Sequence, residues 1–238
     1  MRDGTFLQNI PIFCNVSDIT LEEVTQHVKR SLYKKGDIIL NTALSKNAFL
    51  WVMQGWAKLF KESSKGEEII IDILTENNYC GEQFIFQSEE MDVYTVQAIS
   101  DIELFTLPVP LLQKLVSVDH QLALNFLRNT LEKEKELNME IEHLSIQNAS
   151  QRIGCFILRL QALNKDHTDW LHLPYDKSLL ATRLGMRAET FSRALAKLSK
   201  QCDLEIKNES IHMNSVDKLV HYVCEHCSRV SPYKDILQ

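Results

Sequence analysis

Two apolar stripes of helical period, parted by one glycine, occupy the stretch DKSLLATRLGMRAETFSRALAKLSK from Asp176 to Lys200, and a pair of short helices satisfies both. Leu179, Leu180 and Leu184 mark the buried face of a first helix. Gly185 takes the positive φ of a sharp turn, and Phe191, Ala194, Leu195 and Leu198 stripe a second helix. That second helix has two unlike faces. The inner one is apolar, while Arg187, Glu189, Ser192, Arg193, Lys197 and Lys200 lie on the outer or leading surface, which suits entry into a DNA major groove by the N-terminal end. The same spacing also fits an ordinary helical hairpin with a solvated charged face, so the rest of the chain has to decide.

At 238 residues the chain has room for two modest domains, and 45% hydrophobic with 24% charged residues is a globular composition. No apolar run approaches the ~20 residues that span a bilayer. The N-terminus MRDGTFLQNIPIF lacks a basic region followed by an apolar one, so no membrane partner and a cytoplasmic location are expected. Cys14, Cys80, Cys155, Cys202, Cys224 and Cys227 are scattered, which suggests reduced thiols rather than a disulfide framework. The net charge of −6 is uneven: residues 1–149 carry 13 Lys+Arg against 22 Asp+Glu, giving −9, and residues 150–238 carry 13 against 10, giving +3. Only the rear half is favoured near phosphates.

From about Ser31 to Leu107 short β-rich pieces alternate with turn residues (SLYKKGDIIL, NAFLWVMQGWAKLFKES, EEIIIDIL, VYTVQAI, DIELFTL), the pattern of a sandwich or barrel. Residues 1–30 read as helical pieces, with Ser17 and Asp18 near an N-cap. Pro108 and Pro110 close the β region. A long helical stretch follows to about Ile146, with a break near Ser117 to His120. Leu127, Leu131, Leu137, Ile141 and Leu144 form a seam along its later part, and a segment as polar as LEKEKE on the other faces predicts that the seam pairs with a second copy. The alternative is packing on its own β-domain. After the helix-turn-helix, LEIKNESIHMN reads as a hairpin turning at Asn208–Glu209, the wing of a winged helix, and Val216 to Cys227 reads as helical.

In that order the chain resembles the CRP/FNR superfamily of bacterial transcription regulators over nearly its whole length. YKKGDIIL resembles the family's first barrel strands, WVMQGWAKLFKESSKGEEIIIDIL its central hairpin, and YCGEQFIF the opening of its phosphate-binding cassette. IEHLSIQNASQRIGCFILRL and LHLPYDKSLLATRLGMRAETFSRALAKL are most similar to the dissimilatory nitrate respiration regulator type. The resemblance implies an α+β fold: an effector-sensing, cyclic-nucleotide-binding-like β-barrel (jelly roll) with N-terminal helices over 1–116, a central dimerisation helix over 117–147, and a winged helix-turn-helix DNA-binding domain over 148–238. It also implies a homodimer on a double-stranded DNA operator, with RNA polymerase as a further partner.

By the same resemblance Glu189, Ser192 and Arg193 match the family's base-reading E-x-x-S-R set, and Lys177 and Ser178 its backbone-holding positions. The chemistry agrees, since Arg193 can pair with guanine O6 and N7 and Glu189 can accept from cytosine N4. Ala188 stands where the cyclic-AMP receptor pattern has an arginine that reads a further guanine. A methyl group can pack on thymine, so a TTGAT-like half-site in inverted repeat is expected.

In relatives that bind cyclic AMP the cassette opens on Gly-Glu, matched by Gly81 and Glu82, and ends on an Arg-Ser pair, aligned here with Asp92 and Val93. An acid thus stands where the cyclic phosphate needs a cation, so cyclic AMP is disfavoured. An iron–sulfur cluster needs four thiolates, and only Cys14 precedes the barrel. Haem is possible by analogy with the nearest subgroup, which is associated with haem-based nitric oxide sensing. His27, His120, His143 and Cys80 are the candidate axial ligands, although a lone helical histidine is more often a surface residue. A redox signal, a degenerate sensor with no ligand, and a cyclic-nucleotide response are the alternatives. His221, Cys224 and Cys227 would lie one turn apart along a helix, yet a lone C-x-x-C lacks the second ligand pair of a structural zinc site, so no metal is expected. No nucleophile with a nearby base, phosphate-cradling glycine loop or H-E-x-x-H is present, which argues against an enzyme.

Overall fold

The computed structural model describes residues 7–8, 10–43, 47–86, 93–163, 170–172, 177–207, 210–223 and 227. The chain divides into two compact units, Met1–Leu137 and Asn138–Gln238.

In the first unit a 3-10 turn at Pro11–Phe13 and helix α1 (Asp18–His27) precede eight strands. These are β1 (Lys29–Tyr33), β2 (Ile38–Asn41), β3 (Ala48–Gln54), β4 (Ala57–Glu62), β5 (Glu68–Leu74), β6 (Tyr79–Cys80), β7 (Thr95–Ala98) and β8 (Ile102–Pro108). They form two antiparallel four-stranded sheets, ordered β1-β8-β3-β6 and β2-β7-β4-β5, the sandwich form of a jelly roll. Side chains alternate across most strands, so β7 buries Val96 and Ala98 and β8 buries Ile102 and Leu104. Central β3 differs. It buries the consecutive run Phe49–Val52, because both of its faces are covered. Short helix α2 (Gln83–Phe86) follows β6, and α3 (Val109–Val118) leads to the long α4 (His120–Ile146).

The break between α3 and α4 falls at Asp119, whose buried carboxylate acts as a knot. Its Oδ1 caps α4 by accepting from the Leu122 backbone N–H at 3.1 Å. Its Oδ2 accepts from the Ser17 N–H at 3.0 Å, the Ser17 hydroxyl at 2.9 Å and the Thr20 hydroxyl at 2.7 Å, at the start of α1. Asn125, one turn into α4, donates to the carbonyls of Ile12 at 3.1 Å and Cys14 at 2.8 Å. Two polar side chains therefore fasten the N-terminal segment to α4. Burial on its own would raise the Asp119 pKa, but the donors from Thr20, Ser17 and Leu122 outweigh it and hold the carboxyl well below its usual range.

The second unit holds the end of α4, then α5 (Ala149–Leu163), β9 (Trp170–His172), α6 (Lys177–Arg183), α7 (Ala188–Cys202), β10 (Leu204–Lys207), β11 (Ser210–Met213) and α8 (Val216–Tyr222). The strands form one antiparallel sheet ordered β10-β11-β9. Lys207 pairs with Ser210, and the expected turn at Asn208–Glu209 lies outside the described residues. α6 ends in a Schellman turn: Met186 N–H donates to Ala181 O at 2.9 Å and Gly185 N–H to Thr182 O at 3.1 Å. Gly185 has φ of +64°, and a Cβ there would lie 3.0 Å from Leu144 Cδ2.

Asp119→Ala should destabilise the chain by about 2–3 kcal/mol in urea unfolding at pH 7, because it strands buried donors. A carboxyl held below its usual value of ~3.9 contributes stability that is fully present above that pH and is lost as pH falls toward the folded value, so the gap between wild type and variant should narrow by pH 3. Gly185→Ala should cost about 1–2 kcal/mol in the same measurement, through the left-handed backbone it must adopt.

Candidate functional site

α7 has one buried and one exposed side. Phe191, Ala194, Leu195, Leu198 and Cys202 are buried, and the spacing of that stripe turns Arg187, Ala188, Glu189, Ser192, Arg193, Lys197 and Lys200 to solvent. Arg187 is the N-cap in extended backbone, and the first helical bond runs from Phe191 N–H to Arg187 O at 2.9 Å. Arg193 Nη2 lies 3.6 Å from Glu189 Oε2, with the two side chains 82% and 83% exposed, so the pair is loose enough to be exchanged for other partners. Lys177 and Ser178 stand exposed at the start of α6.

The helix pair is braced from behind. Arg183 of α6 forks onto Glu140 of α4 at 2.9 and 2.7 Å, and Arg159 of α5 reaches the same carboxylate at 3.5 Å. Burial raises the Glu140 pKa, but the Arg183 fork and then Arg159 overcome it and hold the carboxyl below its usual range. Ser150, in the first turn of α5, donates to the Ala194 carbonyl at 3.0 Å and fixes that turn against α7.

A shallow concavity beside α7 brings Asn148, Ser150 and Thr190 to Arg193 and Lys197. Sequence reasoning passed over the first three. The available signal was the Asn148-to-Gln151 spacing, which forms a capping box: Gln151 N–H donates to Asn148 Oδ1 at 3.1 Å, and Asn148 N–H to Gln151 Oε1 at 3.2 Å.

In the sandwich, Gly81 is buried with φ of +100°, and a Cβ there would come 2.5 Å from the Ala48 carbonyl oxygen, so only glycine lets the chain pass β3. Glu82 pairs with Lys133 of α4 at 3.1 Å, and its Oε2 is buried without a donor among the described residues. The Lys133 ammonium also lies 5.6 Å from the centre of the Tyr79 ring. Burial disfavours the Lys133 charge, but Glu82 more than restores it, and its pKa is raised. Val93 is exposed, and Asp92 lies outside the described residues. The Lys133 partner of Glu82 was not foreseen.

The candidate haem ligands are scattered. His27 is exposed on α1 with Nδ1 2.8 Å from the Glu23 carbonyl oxygen, and His120 is exposed at the start of α4. Cys80 is buried, and burial, helped by Glu82, pushes its thiol well above the usual range. The expected run of His221, Cys224 and Cys227 along one helix is corrected. α8 stops at Tyr222, where the backbone turns extended at Val223. His221 is exposed beside the Asp217 carbonyl oxygen, Cys224 lies outside the described residues, and Cys227 is buried against His143 and Cys155. Leu127, Leu131, Leu137, Ile141 and Leu144 are each more than half exposed on α4. Among the described residues no helix is long and apolar enough to cross a membrane.

Residues 30–119 match the family model of the cyclic nucleotide-binding domain, and residues 151–222 that of the Crp-like helix-turn-helix domain. The Cyclic AMP receptor protein of Thermus thermophilus is 25% identical over 199 residues, 82% of this chain and 88% of that protein. The cAMP-activated global transcriptional regulator CRP of Pasteurella multocida is 18% identical over 186 residues, 77% of this chain and 89% of that protein. In fold the chain is similar to FixK2 from Bradyrhizobium japonicum, with a TM-score of 0.71, 20% identity, and cover of 83% of this chain and 98% of that one. With both models matched in sequence order over well over half of a chain already seen to be a sandwich, a long helix and a helix-turn-helix, the protein belongs to the CRP/FNR superfamily, whose members regulate transcription and are not enzymes.

Proposed function

We propose that this chain works as a homodimer in the cytoplasm, reading an inverted repeat of TTGAT-like half-sites through α7 and controlling access of RNA polymerase to the neighbouring promoter. The observation that carries this is the exposed set Glu189, Ser192 and Arg193 on a helix whose other face is buried. Arg193 supplies a bidentate pair to guanine, Glu189 accepts from cytosine, and the Ala188 methyl meets thymine. Lys177, Ser178 and the concavity holding Lys197 grip the backbone and set the register. The exposed leucine stripe of α4 supports pairing of two copies, which a two-fold operator requires.

The sensor answers to something other than cyclic AMP. From Gly81 through Val96 the sequence contains no Lys or Arg. The cation that the described residues do bring to Glu82 is Lys133, whose charge Glu82 already balances. A cyclic phosphate held beside Glu82 would therefore find its charge there already balanced among the described residues. Stretches of α4, α5 and the helix-turn-helix that resemble the dissimilatory nitrate respiration regulator type support a respiratory signal, either haem-bound nitric oxide or a redox change.

The test is DNA binding by quantitative gel shift. Arg193→Ala should lose on the order of 5- to 150-fold in preference for the correct half-site, the worth of one bidentate contact. Lys177→Ala should weaken binding to all sequences alike and lower the salt slope by about one per half-site. Cyclic AMP should leave the wild-type affinity unchanged. An Arg193→Ala protein that selects the same sequence as wild type would overturn the assignment of the reading residues.

A further inference from the structure

We infer that His143, Cys155 and Cys227 form a zinc site inside the DNA-binding unit. His143 lies in the last turn of α4, Cys155 in the second turn of α5, and Cys227 beyond α8. All three are buried, at 6%, 0% and 1% exposure, so the chain has drawn a histidine and two thiols from distant positions into one interior point. Their ligand atoms all lie within 4.8 Å of one another, and Cys227 Sγ is 3.8 Å from His143 Nε2.

That spacing is close to what a tetrahedral zinc ion asks for. With Zn–S near 2.3 Å and Zn–N near 2.0–2.1 Å, the edges of the tetrahedron are about 3.6 Å from sulfur to nitrogen and about 3.8 Å from sulfur to sulfur. Shifts well under the length of a bond bring all three donors to that distance. Donor type agrees as well, since two thiols and an imidazole select a borderline-soft ion over magnesium or calcium, which take oxygen.

Charge decides in favour of burial. Loading releases two thiol protons to solvent, and two thiolates, a neutral imidazole and Zn2+ sum to zero, so the loaded site places no net charge in the interior. Gln147, also buried, has Nε2 3.5 Å from Cys155 Sγ, where its N–H can donate to the thiolate and orient it. The fourth tetrahedral position is left for one more donor. An ion held this way ties the end of α4 and α5 to Cys227, which are far apart in the chain, and so closes long loops.

The test uses the reduced full-length chain, stripped by chelator and titrated first with Zn2+ and then with Co2+. The expected result is uptake of about one zinc per chain and, with cobalt, an intense sulfur-to-metal charge-transfer band, which only thiolate ligands give. Cys155→Ser, Cys227→Ser and His143→Ala should each weaken uptake by at least about tenfold, while Cys202→Ser, which removes a buried thiol outside the group, should leave it intact. Should a variant fail to fold, X-ray absorption on the zinc-loaded wild type decides, with two sulfur atoms and a nitrogen expected around the metal. Wild type that takes up neither metal, coordination without sulfur, undiminished uptake by the folded Cys155→Ser protein, or a Cys155–Cys227 disulfide that after reduction still binds no zinc would each overturn the site.

Discussion

The apolar stripe of α7 is the constraint on which the rest turns. Burying Phe191, Leu195 and Leu198 is worth about 1.5–3 kcal/mol each, whereas the exposed Glu189–Arg193 pair on the other side is worth at most about 1 kcal/mol to the fold. The inner face therefore fixes the rotation of the helix about its axis, and the outer face is left to answer to chemistry alone. Because the 3.6-residue period ties the two faces together, a one-residue slip that carried Arg193 into the buried place of Ala194 would turn Leu195 out to solvent. The proposed base reading by this helix would thus depend on core packing as much as on the identity of its polar residues.

The helices that α7 packs on are themselves pinned together by polar contacts. The Arg183 fork on Glu140, joined by Arg159, binds α4, α5 and α6 through one carboxylate, and the Ser150 hydroxyl anchors α5 to a carbonyl of α7. In the sandwich unit Asp119 and Asn125 play the corresponding part for the N-terminal segment and α4. Both ends of α4 are thus tied by buried or half-buried charge to the unit they belong to. The leucine stripe along its length takes no part in these ties and stays exposed, as the proposed pairing of two copies requires.

Local pattern explains how much of this could be read in advance. The helix-turn-helix was legible because two stripes of helical period flank a glycine that has to adopt positive φ, and each of those signals lies within a few residues. The strands were legible from alternation and turn residues, and the α3–α4 break from the residues around Asp119. Contacts between distant positions were not. Nothing near Glu82 points to Lys133, 51 residues on, and nothing near His143 points to Cys155 and Cys227. The C-terminal histidine and cysteine spacing looked like one helical face because periodicity was extended past Tyr222, where α8 stops. Long-range pairing of charge and sulfur is settled by topology, and topology is not periodic.

The most direct measurement is selection of bound DNA from a random pool by the full-length protein, followed by hydroxyl-radical footprinting on the winning sequence. An inverted repeat of TTGAT-like half-sites is expected, with two protected patches on one face of the duplex about one helical turn, or ~10–10.5 base pairs, apart. A pool that shows no enrichment, or a single asymmetric site protected on one side only, would contradict it.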